Sequence, residues 1–525
     1  MHPLEQYLSH LANIRNTGAG TAETSYYPAL IDLLNTVGKT LKPKVHAVNQ
    51  LANAGAGLPD GGLFTESQFK KRADAEPLPG QMPERGVIEI KSPKESVAAI
   101  ADTKQVSKYW DKYRLVLVTN YRDFLLVGER DGKPVTLESY SLAESDAAFW
   151  ALAAHPRKAS DQHGERFHDF LARCLRANAP LSDPKDVAWF LASYARDARH
   201  RVAHADLPAL GSIRASLEET LGLKFEGEKG EHFFQSTLVQ TLFYGIFAGW
   251  VLWHREGAKG KFNWKLAAWH LHVPMIRALY EQLAQASQVK RLGIEESLDL
   301  AADVLNRIDR GEFFKRFEDR HAVQYFYEPF LEAFDPALRK KLGVWYTPEE
   351  IVRYMVARVD HALQTELNLP DGLADPNVVV LDPCCGTGAY LVEVLRVIAE
   401  KQKAKGEDAL AAQELKRAMT ERIFGFELLP APFVISHLQI GLLLSDAGAP
   451  LAEDERAGVY LTNALTGWEP PKTPKTKVLF PELEAERDLA DHVKRDKPIL
   501  VIIGNPPYNG YAGMAVDEER DLSDA

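Results

Sequence analysis

The stretch VVVLDPCCGTGAYLVEVL, residues 378–395, limits the fold more than any other part of this chain. Its opening Val-Val-Val-Leu reads as a buried strand. Asp382-Pro383 ends that strand, because proline fixes φ and has no amide hydrogen for a ladder. Gly386 and Gly388 then remove side chains where a ligand has to approach the backbone. An amphipathic helix follows, whose first turn offers free N–H groups and a positive dipole end to a carboxylate or phosphate. Strand, glycine turn and helix in this order form the unit of a parallel α/β sheet. RIFGFELLP (422–430) is a second short strand, ending on Glu427. An acidic residue there binds ribose hydroxyls in such folds, and the flanking Phe424, Phe426 and Leu428 argue against a solvated surface charge. A further apolar run, ILVIIG (499–504), meets Asn505-Pro506-Pro507-Tyr508, where two prolines stop it.

A chain of 525 residues is long enough for about three domains. Its three cysteines, Cys174, Cys384 and Cys385, fit a reducing cytoplasm, exclude a disulfide framework and form no Cys-x-x-Cys pair for zinc. The N-terminus lacks the basic-then-apolar pattern of a secretion signal. The uncharged run 233–253 has about the length of a membrane span. Its first half carries Gln235, Ser236, Thr237, Gln240 and Thr241, so it reads as a buried helix, with no membrane. The net charge of −11 argues mildly against a uniformly basic nucleic-acid binder, while leaving room for a local basic groove.

Residues 1–150 read as α/β, with strands at GVIEIK (86–91), RLVLVTN (114–120) and DFLLVGE (123–129), and a helix in TSYYPALIDLLNTVGKTL (24–41). AAHPRKASDQHGE (153–165) reads as a linker. Residues 166–340 have helical periodicity and 341–525 return to a parallel α/β rhythm. No internal repeat and no phosphate-binding Gly-x-x-x-x-Gly-Lys-Ser/Thr loop occurs.

Asp382-Pro383-x-x-Gly386-Thr387-Gly388 resembles the cofactor loop of adenine-specific DNA methyltransferases. Gly343-Val344-Trp345-Tyr346-Thr347-Pro348 resembles the element that precedes that loop in the gamma order of motifs. The resemblance implies a Rossmann-like fold that binds S-adenosylmethionine through Tyr346, Thr347, Pro348, Asp382, Pro383, Gly386, Gly388 and Glu427. In VYLTNALTG (459–467), Asn463 stands where many relatives carry Asp near the cofactor's adenine. The Asn505-Pro506-Pro507-Tyr508 tetrad has a direct chemical reading. An exocyclic amine is a poor nucleophile, since its lone pair is delocalised into the ring. The Asn505 side-chain oxygen and the Pro506 carbonyl can accept its two hydrogens, the prolines fix that geometry, and Tyr508 gives a face on which a flipped base stacks. Protein-glutamine and RNA-guanine methyltransferases carry the same tetrad, so the substrate has to be decided elsewhere in the chain.

In the N-terminal part, GLPDGGLF (57–64) supplies Asp60, and the period of two puts Glu89 and Lys91 on one face of GVIEIK. This resembles the PD-(D/E)xK nucleases. The resemblance implies that Asp60 and Glu89 share a Mg2+ ion, Lys91 positions the attacking water, and Glu23 and Gln105 assist, with Tyr109 following Gln105 on its helix. The long insertion between Asp60 and Glu89 departs from the pattern. Nuclease pattern, helical connector and gamma-order methyltransferase together resemble the fused restriction–modification enzymes of types IIG and ISP. YFYEPFLEAFDPALRKKLGVWYTP (325–348) is similar to the connector junction of the latter. The implied architecture is a multidomain α/β chain: nuclease-like domain 1–150, helical connector 166–340, and partial methyltransferase 341–525. The implied partner is double-stranded DNA. The chain runs only 17 residues past Tyr508, so a C-terminal target-recognition portion or a partner chain is expected to complete it. The alternatives are a methyltransferase whose N-terminal domain binds DNA without cutting, and a protein or RNA amino-methyltransferase.

Overall fold

The computed structural model describes residues 1–21, 23–70, 80–130, 132–205, 210–221, 224–318, 322–336, 347–405, 408–452, 455–469 and 481–506. It divides into two compact units, Met1–Pro180 and Leu181–Ala525.

The first unit is built on a six-stranded sheet in sequential order: β1 (Val45–Asn49), β2 (Gly61–Thr65), β3 (Val87–Ile90), β4 (Val116–Thr119), β5 (Asp123–Arg130) and β6 (Lys133–Ser141). Its helices are α1 (Pro3–Asn16), α2 (Tyr27–Gly38), α3 (Glu66–Lys70), α4 (Val97–Ala101), α5 (Lys104–Tyr113), α6 (Asp146–Ala153) and α7 (Pro156–Arg176). Neighbouring strands are antiparallel except β3 and β4, which run parallel with Glu89 opposite Val118. The parallel pair needs a crossover, and α4 and α5 supply it. Every residue of β3 and β4 is buried, as expected of central strands covered on both faces. α5 is capped by Thr103, whose hydroxyl accepts from the Val106 amide, and it stops at Arg114 in the left-handed region.

The linker expected over 153–165 is instead mostly the start of α7. Pro156 occupies the first turn, where its missing amide hydrogen costs nothing. Polar residues fill the outer face of that turn and hide the pattern. Ala159, Phe167, Phe170 and Leu171 nevertheless keep the helical spacing and are buried. Strands β1 and β2 carry too few apolar residues to stand out in the sequence. They are recruited by pairing to each other and, through β2, to β3.

The second unit starts with α8 (Pro184–Ala203), α9 (Gly211–Leu221), α10 (Gly227–Arg255), α11 (Pro274–Leu283), α12 (Ala286–Leu292), α13 (Glu295–Asn306), α14 (Arg310–Glu318) and α15 (Ala322–Phe334). The long uncharged run lies in α10, and 94% of its most apolar window is buried inside the unit. It packs on the helix Pro430–Asp446 as a core helix. After α16 (Glu349–Thr365) come β7 (Val380–Asp382), α17 (Ala389–Ala404), α18 (Asp408–Glu421), β8 (Ile423–Glu427), α19 (Pro430–Asp446), β9 (Val459–Leu461), α20 (Pro481–Asp496) and β10 (Val501–Ile502). The four strands are parallel in the order β10-β7-β8-β9. Successive strands thus proceed outward from β7 in one direction, and β10 returns to its other side. That reversal is a topological switch point, which opens a crevice at the carboxyl ends of β7 and β10. One continuous apolar core joins the helices from residue 181 onward with this sheet.

Candidate functional site

At the switch point, β7 ends on Asp382, which has no exposed surface. Its Oδ1 accepts from the Cys384 amide at 3.1 Å, while Oδ2 is buried without a hydrogen-bond partner. Burial, together with the nearby Glu427 carboxylate, raises its pKa to about 8. Pro383 follows, and the turn continues through Gly386 (φ +55°) and Gly388 (φ +91°), a region that L side chains rarely adopt. A Cβ on Gly386 would meet nothing within 4 Å, so the turn presents an open side there. A Cβ on Gly388 would sit 3.3 Å from the Ser436 Cβ, so this glycine also lets α17 start close against α19.

Glu427 ends β8 and closes the turn. Its Oε2 accepts from the Gly386 amide at 2.9 Å and its Oε1 from the Leu429 amide at 2.7 Å. Burial lifts its pKa to about 7 even though those amides pull it down. Neither Asp382 nor Glu427 makes an ion pair with a described residue. Asn463, past the end of β9, is buried. Its Oδ1 accepts from the Leu465 amide at 2.9 Å, and its carbonyl accepts from Lys494 Nζ at 2.8 Å.

β10 carries the chain to Asn505. Ile503 donates its amide to the Leu381 carbonyl, and at Gly504 a Cβ would lie 2.6 Å from Asp382 Oδ1. Residue 504 therefore has to be glycine for β10 to pass Asp382. Asn505 Nδ2 donates to Thr347 Oγ1 at 3.1 Å across 158 residues of sequence. Pro348 caps α16 just beyond Thr347. Pro506 follows Asn505, whereas Pro507, Tyr508 and Tyr346 lie outside the described residues.

A second cluster sits in the first unit. Glu89, on β3, is 1% exposed. Lys91 Nζ lies 2.6 Å from Glu89 Oε1, 3.0 Å from the Ile90 carbonyl oxygen and 4.0 Å from Asp60 Oδ2. Asp60 is fixed at both oxygens, by Tyr27 Oη at 2.8 Å and by the Ile90 amide at 2.8 Å. Glu23 reaches the same tyrosine hydroxyl at 3.3 Å. Gln105, on α5, donates to Glu89 Oε2 at 3.5 Å and to Tyr109 Oη at 2.9 Å. Burial raises the Glu89 pKa against the opposing pull of Lys91. The Lys91 ammonium is desolvated too, but Glu89, Asp60 and Glu23 outweigh that and hold it charged. Among the described residues no group of three or more His, Cys, Asp or Glu side chains converges to hold a metal. Two carboxylates and a carbonyl do converge here, and the Lys91 ammonium stands at their meeting point.

The sequence reading missed Tyr27, Gly504 and Lys494. Tyr27 follows Glu23 by one helical turn, a spacing that could have flagged it. Gly504 precedes the tetrad directly. Lys494 lies on α20 and holds both Thr462 Oγ1 and the Asn463 carbonyl at 2.8 Å. No local pattern links it to that loop.

The family model described as N-6 DNA Methylase matches residues 318–524. Over 211 residues the chain is 22% identical to the methylase subunit of the type I restriction enzyme EcoEI from Escherichia coli, an alignment covering 40% of this chain and 32% of the relative. The chain thus spans about a third of that relative's length. Among solved structures it aligns with the DrdV–DNA complex at 20% identity and a TM-score of 0.42, covering 97% of this chain and 44% of that one. It aligns with the DNA-bound ATP-dependent type ISP restriction–modification enzyme LlaBIII at 17% identity and a TM-score of 0.44, covering 69% and 22%. The family implies S-adenosylmethionine as methyl donor. The partnerless buried oxygen of Asp382, the open side of Gly386 and two carboxylates lacking a countercharge fit a cationic, ribose-bearing ligand. The N-6 DNA Methylase match thus falls on the C-terminal part of a mixed α/β chain, over the parallel sheet that carries Asp382 and Glu427.

Proposed function

We propose that this chain is a restriction–modification enzyme that methylates the N6 amine of adenine in duplex DNA and cuts unmodified DNA through its N-terminal unit. The observation that carries the methylation half is the 3.1 Å hydrogen bond from Asn505 to Thr347, which joins two distant motif segments beside Asp382 at the switch point. Thr347 and Pro348, the Asp382–Gly388 turn, Glu427 and Asn463 would hold S-adenosylmethionine, which when bound supplies an electrophilic methyl group. Asn505 Oδ1 and the Pro506 carbonyl accept the amine's two hydrogens and draw its lone pair out of the ring. Thr347 fixes the rotation of the Asn505 amide, so the acceptor is in place before the base arrives. By the sequence motif, Pro507 and Tyr508 would complete the frame and the stacking face.

In the N-terminal unit, Asp60, Glu89 and the Ile90 carbonyl would hold Mg2+, which when bound polarises a phosphodiester. Tyr27 and the Ile90 amide keep Asp60 pointed at that position. Lys91 would orient the attacking water, with Glu23 and Gln105 supporting the cluster. Residues 1–150 thus serve as the nuclease-like domain, 166–340 as the connector and 341–525 as the methyltransferase, in a cytoplasmic enzyme.

A second reading, a methyltransferase whose N-terminal unit grips DNA without cutting, has one observation in its favour: no three acidic, histidine or cysteine side chains converge among the described residues. Labelled-methyl transfer and Mg2+-dependent cleavage, measured on plasmid DNA with RNA and protein as competing acceptors, test both readings. The expected result is label on duplex DNA and nicked or linear plasmid, with cleavage abolished by Lys91→Ala. Label on RNA or protein alone overturns the substrate assignment. Plasmid left intact by the wild type favours the second reading.

A further inference from the structure

We infer that α5 is a track for the phosphodiester backbone of duplex DNA, leading one strand to the Asp60–Glu89–Lys91 cluster. The inference rests on the nuclease reading of that cluster and adds the surface that would feed it.

The whole chain carries a net charge of −11, yet the segment from Lys91 to Arg114 runs against it. It holds Lys91, Lys94, Lys104, Lys108, Lys112 and Arg114 against Glu95, Asp102 and Asp111, six cations to three anions. Lys104, Lys108 and Lys112 repeat at a spacing of four and so form one row along α5, about 12 Å long at 1.5 Å per residue. Asp111 is the only carboxylate within α5. Lys94, Lys104 and Lys108 are exposed and make no ion pair among the described residues. The Arg114 guanidinium lies over the Trp110 ring at the end of the same helix.

The row is aimed at the cluster by the helix itself. With about 100° between successive residues, Lys112, Lys108 and Lys104 lie some 20°, 60° and 100° around the axis from Gln105. Gln105 is the residue that reaches Glu89. The lysines therefore flank the edge of α5 that faces the buried carboxylate. On that side the loop leading to Asp60 comes close: a Cβ on Gly55 would be 3.4 Å from Lys112 Nζ, and one on Gly57 3.3 Å from the Tyr109 ring. Glycine at both positions, each with positive φ, keeps this wall low. Unpaired ammonium groups in a row beside two carboxylates and their lysine suit a polyanion that must come close to acidic groups without being repelled. Phosphate neutralisation supplies the attraction.

The test uses the full chain in EDTA, without cofactor, and a short labelled DNA duplex titrated at several salt concentrations. Lys104→Gln with Lys108→Gln is expected to lower the slope of log affinity against log salt by about 1.8, since each phosphate contact accounts for roughly 0.9. Lys104→Glu with Lys108→Glu is expected to weaken binding roughly tenfold or more at low salt, and the paired arginine variant to restore it. Lys39→Glu with Lys42→Glu, exposed in the same unit, controls for net charge alone. A photocrosslinker at position 108 gives a second readout, independent of any other DNA contact in the chain, and is expected to label the duplex. Equal losses in the α5 and control reversals, or no crosslink at 108, overturn the proposal. So does preferential crosslinking to single-stranded RNA. Glu89→Gln separates it from the nuclease reading: cleavage surviving that change sinks the nuclease, whereas crosslinking at 108 is expected to persist in either case.

Discussion

Glu89 and Asp382 are both buried carboxylates on central strands of their sheets, 1% and 0% exposed, yet among the described residues only Glu89 has a cation beside it. Lys91, two residues on along the same strand face, supplies that charge from within. Asp382 has the Cys384 amide on one oxygen and no described partner on the other, and the Glu427 carboxylate acts on it as a like charge. Burying an ionised group without a partner is costly enough that the group takes up a proton instead. Glu89 thus has its charge matched by Lys91, whereas Asp382 is held protonated by burial. A site that carries its own countercharge can exchange it for a metal, while one that lacks it favours a ligand that brings positive charge.

The largest expected effect tests the methylase side. Asn505→Ala removes one preorganised acceptor, so methyl transfer should fall about 10²–10³-fold with cofactor binding little changed. Full activity in this variant would break the assignment of the switch point as the reaction centre.

Lys91→Ala sharpens the comparison through stability. It leaves Glu89 buried without its cation, and urea unfolding of the first unit should show a loss of about 1–3 kcal/mol, less than for a wholly buried pair because Lys91 is partly exposed. Glu89→Gln in the same background should recover most of that loss. Gly388→Ala should cost about 1–2 kcal/mol from the left-handed backbone alone, and also weaken S-adenosylmethionine binding in calorimetry.

The pH dependence separates the two sites most directly. Folded Asp382 keeps its proton up to about pH 8, whereas an unfolded aspartate loses it near ~3.9. Between those values the folded state binds more protons, so this residue's contribution to stability falls as pH rises. The melting temperature of the ligand-free wild type relative to Asp382→Asn should therefore decline from pH 4 to pH 8. A flat difference would mean that folded Asp382 does not hold a proton across this range. Tyr27→Phe should have the smallest effect, about 0.5–1.5 kcal/mol from one hydrogen bond to Asp60, read in thermal melts and in loosened metal binding by calorimetry.

What could be read from the sequence is what short-range sterics decide. The strand, Asp-Pro, the Gly386 and Gly388 turn and the following helix all form as spelled, because only glycine adopts those positive φ values readily. Glu89 and Lys91 share a face because side chains alternate along any strand. A linker over 153–165 did not survive, since buried Ala159 and Phe167 outweigh the polar residues between them. Tertiary structure alone decided the rest. It set β10 beside β7, so that Gly504 passes Asp382 and Asn505 meets Thr347. It brought Tyr27 and the Ile90 amide to opposite oxygens of Asp60, and Lys494 to Asn463. These contacts follow from strand order and burial, which depend on how the whole core closes. The same burial lifts Asp382 to about 8, a property of the packed interior that no stretch of sequence carries by itself.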